Sequence, residues 1–299
     1  MRRCCEIGSI DDVTKWQWAW EGMLGVVAVL AVGMVLITAP SQHLPNILGL
    51  ATPLGLVAVA LSLSLRTGTP NLAVGAVSAL SGALVAAAVV ELKLPQVVAV
   101  LLVLALAAFA GLVMGAFTML LGAPSWAVTL AAAVVCEALA VMLTQGNVIV
   151  LPRVQPYSSV VGFAVFAVIS VAGGLLWLRR NVRERLSKGW AAGLAGLAGS
   201  SALAALAGFA LLLRLGAAQP SSQGLFTVVF ALAAVVLGGT SPNGERGAVT
   251  GTLLGVLILS IVQGQLILMN LPSWVYMLVL GAVVMLGLAV SRLLEALRA

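Results

Sequence analysis

Residues 97–118, VVAVLLVLALAAFAGLVMGAFT, form an uninterrupted stretch without a charged side chain. A helix needs about 20 such residues to cross the ~30 Å hydrocarbon core of a bilayer. Comparable runs recur along the chain, at 22–39, 47–65, 71–90, 97–118, 126–143, 158–178, 191–213, 225–237, 248–268 and 274–291. The sequence therefore predicts an all-α fold, a polytopic membrane helix bundle of about ten transmembrane segments. The run at 225–237 is short and ends at Gly238 and Gly239, which is typical of a half-helix.

The composition excludes other classes of protein. Of the 299 residues, 62% are hydrophobic and 8% are charged, against roughly 45–50% and about 25% in an ordinary soluble domain. A mean hydropathy of +1.17 leaves too few polar residues to cover a soluble core. The cysteines Cys4, Cys5 and Cys136 have no spacing typical of a metal site or a disulfide framework. A soluble globular protein, a disordered scaffold and a secreted disulfide domain are therefore excluded.

The positive charges are unequally divided between the two sides of the membrane. Ten crossings with an intracellular amino terminus place twelve of the 15 Lys and Arg residues inside and only Lys93, Arg153 and Arg214 outside. Because cytoplasmic loops carry the excess of Lys and Arg in membrane proteins, we expect both termini to be cytoplasmic. The predicted organisation is a cytoplasmic amino-terminal segment at 1–21, a single transmembrane domain at 22–291 and a cytoplasmic tail at 292–299.

Glycines are expected to shape the bundle in two ways. Glycines at three- or four-residue spacing predict close helix contacts, since small residues let helix backbones approach each other in lipid. They are Gly111 and Gly115, Gly193, Gly196 and Gly199, and Gly247, Gly251 and Gly255. The turn sequences 68–77 and 239–249 share a Gly-Thr, Pro-Asn, Gly-Ala-Val pattern. This pattern is either an internal repeat or a chance recurrence of turn residues.

Seven polar residues in or beside the predicted spans are candidates for a solute route. They are Asn71, Ser78, Glu137, Gln145, Gln263, Gln265 and Asn270. A carboxylate such as Glu137 is costly in hydrocarbon unless it faces a polar cavity or partner. Amides suit uncharged hydroxylated solutes because each offers a donor and an acceptor. The alternatives are a helix-to-helix hydrogen bond for Glu137, interfacial water for the amides, and a bond to its own helix for Ser78.

The densest charge cluster follows the sixth segment. It consists of Arg179, Arg180, Arg183, Arg185 and Lys188. Such a cluster anchors a loop at lipid headgroups, and the alternative is a docking surface for a cytosolic subunit. The chain has no carboxylate pair, activated nucleophile or metal cluster that would predict catalysis, and no Walker lysine motif. We therefore expect no enzymatic activity, no cofactor and no nucleic-acid partner, and we assign any ATP hydrolysis to a partner subunit.

Three colinear motifs carry a family resemblance. The first is VVLGGTS at 235–241, followed by GERG at 244–247 and GTLLG at 251–255. The second is TG at 67–68 with NLAVG at 71–75 and LSG at 80–82, and the third is GAP at 122–124 with VTL at 128–130 and LTQG at 143–146. Over residues 40–290 the chain resembles the permease subunits of ribose-type monosaccharide ABC importers, in the superfamily that also holds branched-chain amino-acid permeases.

The resemblance implies a permease for a small polar solute, most directly a monosaccharide, in a prokaryotic plasma membrane. The implied partners are a cytosolic ATP-binding cassette ATPase, an extracytoplasmic solute-binding protein, a second permease copy or paralogue, and membrane lipid. The resemblance also implies a helix bundle like that of the vitamin B12 importer. The ATPase would dock on the basic loop at 179–188, with the turn at Glu245 and Arg246 beside it.

The chain departs from the family pattern at three places. Asn71 stands where the family has an aspartate, and Glu137 stands in the fifth segment, where an arginine is usual. The family's long cytoplasmic loop with a coupling helix, between the sixth and seventh segments, is here the short segment 179–190. One alternative is therefore a non-coupling or regulatory subunit that pairs with a full-length permease. Another is an ATP-independent secondary carrier, which broken helices allow.

Overall fold

Ten helices make up the described part of the protein. The structure, a computed structural model, describes residues 5–152, 158–179, 182, 184, 186, 189–219, 224–240 and 250–296, with side chains from Trp18 to Ala289 within those ranges. The helices are α1 (Cys5–Thr38), α2 (His43–Arg66), α3 (Val74–Val90), α4 (Gln96–Leu121), α5 (Ser125–Thr144), α6 (Ser159–Leu178), α7 (Trp190–Leu215), α8 (Gly224–Leu237), α9 (Gly251–Leu268) and α10 (Ser273–Ala296). Two short strands, β1 (Ile149–Val150) and β2 (Ala217–Ala218), pair antiparallel.

Each predicted apolar run coincides with one helix, so the all-α membrane bundle is confirmed. Only a helix satisfies all its backbone groups internally in lipid, which is why apolar runs without charges fold in this way. Among the described residues, seven helices are long and apolar enough to span a membrane, and α3, α8 and the apolar part of α10 are shorter. Helix α1 runs without a break through residues 21 and 22. The domain limits and the likeness to the vitamin B12 importer stay predictions.

Helices α3 and α8 both begin inside the bundle. Asn71, in the turn between α2 and α3, bonds to Ser200, which lies ten residues, or about 15 Å, along α7 from Trp190. Gly75, in the first turn of α3, packs so closely on the backbone of Gly224 that no larger residue fits there. Gly224 is the first residue of α8, a helix of 14 residues, so α8 begins beside the first turn of α3. Its length of about 21 Å is that of the predicted half-helix.

Helix α7 is the centre of the packing and contacts α2, α3 and α4. The predicted glycine faces make these contacts. Gly111 on α4 packs on the backbone of Leu197, and Gly196 on α7 packs on Thr67. On the far side of the bundle, Gly255 on α9 packs on the backbone of α8. The close helix contacts expected from glycine spacing are therefore confirmed, except at Gly247, which lies outside the described residues.

The two similar turn sequences end their helices in the same way. Gly68 and Gly239 have φ angles of 73° and 83°, a backbone conformation that glycine adopts without strain. Thr69 N–H donates to the carbonyl oxygen of Ser64 (3.0 Å), and Thr240 N–H donates to that of Val235 (3.1 Å). Both turns are therefore Schellman motifs closing α2 and α8. The remainder of the second turn, 241–249, lies outside the described residues, so the internal repeat stays a prediction.

Candidate functional site

Asn71 is the centre of a buried hydrogen-bond network that joins three helices. Its side chain is fully buried, and Nδ2 donates to Oγ of Ser200 (2.8 Å) and of Ser201 (3.3 Å) on α7. Its Oδ1 accepts from the backbone N–H of Ala73 at the start of α3 (3.0 Å). Thr129 on α5 accepts from the backbone N–H of Leu72 (3.1 Å). Asn71 therefore fixes the α2–α3 turn to the rest of the bundle.

Three other predicted route residues have local structural roles. Ser78 is buried and donates to the carbonyl oxygen of Gly75 in its own helix (2.9 Å), as the alternative interpretation expected. Gln145 and Asn270 are exposed and have φ angles of 51° and 54°. They occupy the left-handed position at the carboxyl ends of α5 and α9, a position that asparagine tolerates well. The structure does not bring these three side chains together.

Glu137 is half-buried on α5. One face of α5, which includes Thr129 and Ala140, is buried against α3, and another face, which includes Val134, is apolar and exposed. Glu137 lies on the border between these two faces. A carboxylate at this position requires a polar environment. Whether it lines a solute route stays a prediction.

Four buried polar atoms without a partner among the described residues lie in the second half of α9 and at the start of α2. The atoms are Oγ of Ser260, Oε1 of Gln263, Nε2 of Gln265 and Nε2 of His43, all buried and without a hydrogen-bond partner among the described residues. Gly264 places α9 against Ile47 and His43 of α2, and Ser260 lies one turn away on the same face. Gln263 and Gln265 flank this face on opposite sides, each about 100° around the helix from Gly264. We call these four residues the α2–α9 polar seam. It contains two predicted residues, Gln263 and Gln265, and two that sequence reasoning missed.

The missed members of these groups carry weak sequence signals. His43 is the only histidine of the chain, but it stands between the predicted spans 22–39 and 47–65, where a polar side chain is usually solvated. Ser200 and Ser201 stand among glycines and alanines, where a serine commonly bonds to its own helix. Single hydroxyls of this kind reveal a network only once the partner helix is known.

The opposite end of the bundle holds a second group that sequence reasoning missed. Glu21 on α1 and Arg66 at the end of α2 are both buried, with 6% and 8% of their surfaces exposed. The Arg66 guanidinium carbon lies 5.7 Å from the ring centroid of Trp177, near the end of α6. The sequence offers one signal for this group, because the carboxylate of Glu21 stands directly before the first predicted span. The prediction assigned Glu21 to the cytoplasmic segment at 1–21.

Most residues of the predicted ATPase-docking surface lie outside the described residues. They are Arg180, Arg183, Arg185, Lys188, Glu245 and Arg246. Arg179 is described, is exposed, and directly follows α6. The assignment of this surface therefore stays a prediction.

An apolar helix bundle whose buried polar groups are enclosed between helices is typical of a multi-pass membrane protein. The model of the family described as branched-chain amino acid transport system / permease component matches residues 44–194 and 190–288. The chain belongs to this family. It is a transport subunit in the cell membrane.

Two named relatives align with most of the chain, and a third aligns with about a quarter of it. The ribose import permease protein RbsC of Escherichia coli (strain K12) is 28% identical over 305 residues, which cover 92% of this chain and 94% of the relative. The L-arabinose ABC transporter permease protein AraH of Azospirillum brasilense is 28% identical over 90% of this chain and 87% of the relative. RbsC of Bacillus subtilis (strain 168) is 40% identical over 85 residues, only 28% of this chain and 26% of the relative. No solved structure matches the chain.

Proposed function

We propose that this chain is the membrane-spanning subunit of an ATP-binding cassette importer and forms the route for a monosaccharide. The observation that carries the proposal is the similarity to RbsC of Escherichia coli along 92% of the chain, because the relative is named for ribose import. A second sugar permease, AraH, aligns over a similar extent. The proposed partners are an ATPase that hydrolyses ATP, an extracytoplasmic solute-binding protein, and a second permease copy or paralogue.

The proposed orientation places both termini in the cytoplasm. Twelve of the 15 Lys and Arg residues then lie on the cytoplasmic side, as the distribution in membrane proteins favours. The end of α2 at Arg66 and the end of α6 near Trp177 meet, which supports placing Arg66 and Arg179 on one side. The segments 179–189 and 241–249 would therefore face the ATPase.

The shortened loop favours a second candidate function. The family model matches in two parts, which meet at 190–194, next to the segment where relatives have a longer loop. The alignment with RbsC of Escherichia coli spans 305 residues and is longer than the chain of 299, so that relative contains segments this chain lacks. The second candidate is a non-coupling or regulatory subunit that pairs with a full-length permease.

ATP-driven uptake by the reconstituted complex tests the main proposal. The tagged chain is purified from its native membranes with its bound subunits and reconstituted in proteoliposomes. We expect an ATPase to co-purify, and labelled D-ribose or L-arabinose to enter the vesicles only with ATP. Labelled leucine is the matched control, because the description of the family names branched-chain amino acid transport. Uptake of leucine but of neither sugar would contradict the assignment of the solute class.

We propose that the α2–α9 polar seam forms part of the solute route. Each buried polar atom without a partner costs roughly 1–3 kcal/mol, so the seam is expensive in the resting protein. A solute with several hydroxyl groups would supply donors and acceptors to Ser260, Gln263 and His43. This cost is offset only while solute or water occupies the seam. The two glutamines predicted from the sequence are therefore the strongest route candidates.

Replacing Gln263 by leucine is expected to affect sugar uptake and the free energy of unfolding in different ways. We expect uptake to require about tenfold more sugar, the effect of ~1.4 kcal/mol, because a hydrogen-bonding group is lost. We also expect the free energy of unfolding to stay equal or to rise, since a buried polar atom without a partner is removed. The control is Gln42→Leu, the same change at an exposed residue preceding α2. Normal sugar dependence in Gln263→Leu would remove Gln263 from the route.

A further inference from the structure

Helix α9 is enclosed on three sides by other helices. On one side Gly264 packs on Ile47 of α2, and Gly255 packs on the backbone of α8. The two glycines are nine residues apart, so they point to opposite sides of α9 at 100° per residue. On a third side, Ile261 shares an apolar cluster with Val35 of α1. Because α2 and α8 also contact each other, the fourth side of α9 faces the interior of the bundle, where these two helices meet.

The fourth side of α9 carries polar atoms without a partner. Thr252, Val256, Ser260 and Gln263 follow one another at spacings of four, four and three residues, so they lie within about 80° of each other around the helix. Thr252, Val256 and Ser260 are buried. Oγ1 of Thr252, Oγ of Ser260 and Oε1 of Gln263 have no hydrogen-bond partner among the described residues. We call these four residues the α9 stripe.

A further hydroxyl lies at the end of α8 that meets the start of the stripe. Thr240, three residues after α8, is buried, and its Oγ1 also lacks a partner in the part of the chain that the structure describes. Gly238 packs on the backbone of α9 at Thr252, which places the end of α8 against the first turn of α9. The neighbouring Thr250 differs, because its hydroxyl donates to Oε2 of Glu21 on α1 (2.6 Å).

These hydroxyls depart from the usual arrangement in membrane helices, in which a hydroxyl bonds to the carbonyl oxygen four residues earlier. Three buried threonines of other helices make that bond: Thr52, Thr129 and Thr144. Ser260 and Thr240 have an equivalent carbonyl available, at Val256 and Val236, but do not bond to it. Since a buried hydroxyl without a partner is costly, packing alone does not account for polar residues at these positions.

We propose that the α9 stripe continues the solute route from the α2–α9 polar seam toward the start of α9, where Thr252 and Thr240 form a second binding position for an uncharged solute with several hydroxyl groups. From Gln263 to Thr252 the stripe extends over eleven residues, or about 16 Å, which is roughly half of the hydrocarbon core. In the proposed orientation, the start of α9 lies toward the cytoplasm. This inference rests on the proposed function and names the inner part of its route.

Val256 is the constriction of this route. It lies between Thr252 and Ser260 on the stripe and is fully buried. It belongs to one apolar cluster with Ala58 of α2 and Ala234 of α8. The stripe is therefore closed at Val256 in this structure, and solute would pass only when α2 or α8 moves away from α9.

Replacing Thr252 by valine, which has the same shape without the hydroxyl, tests the second binding position. We expect the maximal rate of ATP-driven uptake of D-ribose or L-arabinose to fall by about fivefold, the effect of one neutral hydrogen bond. The free energy of unfolding should stay equal or rise, because a buried atom without a partner is removed. Thr252→Ser keeps a hydroxyl and should keep most of the rate.

The matched control is Thr118→Val on α4. The Thr118 hydroxyl donates to the carbonyl oxygen of Met114 in its own helix (2.8 Å), so its removal should leave the uptake rate unchanged. A normal rate in Thr252→Val would overturn the second binding position. So would a rate in Thr252→Ser as low as that in Thr252→Val.

Cysteine reactivity tests the path of the route independently of the uptake rate. Val256→Cys and Ile261→Cys are compared in complexes whose native cysteines are replaced by alanine. Both positions are buried, but Ile261 lies on the side of α9 that packs with α1. A thiol reacts with N-ethylmaleimide as the thiolate, which an apolar interior disfavours, so reaction requires water at the cysteine. We expect Val256→Cys to react during ATP hydrolysis, at least fivefold more slowly with saturating sugar, and Ile261→Cys to stay unreactive.

The outcomes separate this inference from the proposed function. Sugar uptake by the unmodified complex with no reaction of Val256→Cys, or with equal reaction at both positions, would overturn the path along α9 and leave the proposed function in place. If the unmodified complex imports neither sugar, the proposed function fails. Reaction of Val256→Cys but not of Ile261→Cys would then still support a water-filled path along the stripe, and the absence of reaction would overturn it.

Discussion

Replacing Asn71 by leucine is expected to lower the free energy of unfolding by about 2–4 kcal/mol. The change removes both donors to Ser200 and Ser201 and leaves the backbone N–H of Ala73 without its acceptor. A hydrogen bond between membrane helices contributes roughly 0.6–2 kcal/mol, and a buried donor without a partner costs about 1–3 kcal/mol. Because the turn joins α2 and α3 to α7, we expect ATP-driven uptake to be lost as well.

Unfolding by SDS in mixed micelles, followed by tryptophan fluorescence, measures this loss. The control is Ser78→Ala, a buried residue whose hydroxyl donates to a carbonyl of its own helix, for which we expect a much smaller loss because that bond joins no second helix. Asn71→Asp keeps the acceptor for the backbone N–H of Ala73 but removes both donors. Its free energy of unfolding should therefore fall less than that of Asn71→Leu. Equal stability of Asn71→Leu and Ser78→Ala would show that the network does not hold the bundle.

The second large effect is expected from the basic segment that follows α6. Replacing Arg179, Arg180, Arg183 and Arg185 by alanine should abolish co-purification of the ATPase. An exposed ion pair contributes about 0.2–1 kcal/mol, so four of them supply roughly 1–4 kcal/mol, or about fivefold to 1,000-fold in affinity. Expression of the chain should not change.

Two controls belong to this experiment. Lys93→Ala with Arg153→Ala removes positive charge from the predicted outer side and should leave the ATPase bound. Because Lys and Arg also determine orientation, a cysteine placed at Ser187 must stay protected from an impermeant reagent in intact cells, both with and without the four alanines. If the ATPase never co-purifies with the unmodified chain, even beside a second permease, the importer hypothesis fails and the non-coupling subunit replaces it.

Local sequence was sufficient for the helices and their closest contacts. A run such as 97–118 has no alternative to a helix in lipid, since each backbone group needs an internal partner. Glycine spacing predicted the contact of Gly111 with α7, because only small residues permit that distance. The shortness of α8 followed from counting residues against the thickness of the bilayer.

The candidate sites were only partly predictable. The amides of Gln263 and Gln265 stand out in an apolar span, and so the sequence alone names them as candidates; their part in a solute route stays a prediction. Oγ of Ser260 and Nε2 of His43 also lack a partner among the described residues but carry no such signal, because a lone serine or a loop histidine is common in membrane proteins. Gln145 and Asn270 resemble the two glutamines in the sequence, but their φ angles place them at helix ends, and a part in the solute route stays a prediction for them.

The sequence by itself determined that the chain is a bundle of membrane helices, where they lie, and which family it belongs to. The tertiary structure alone decided which polar residues meet. Asn71 and Ser200 are 129 residues apart in the chain, and Glu21 and Thr250 are 229 apart. The physical reason is that helix formation in lipid depends on local backbone bonding, whereas a side-chain hydrogen bond depends on the packing that brings two distant helices within about 3 Å of each other.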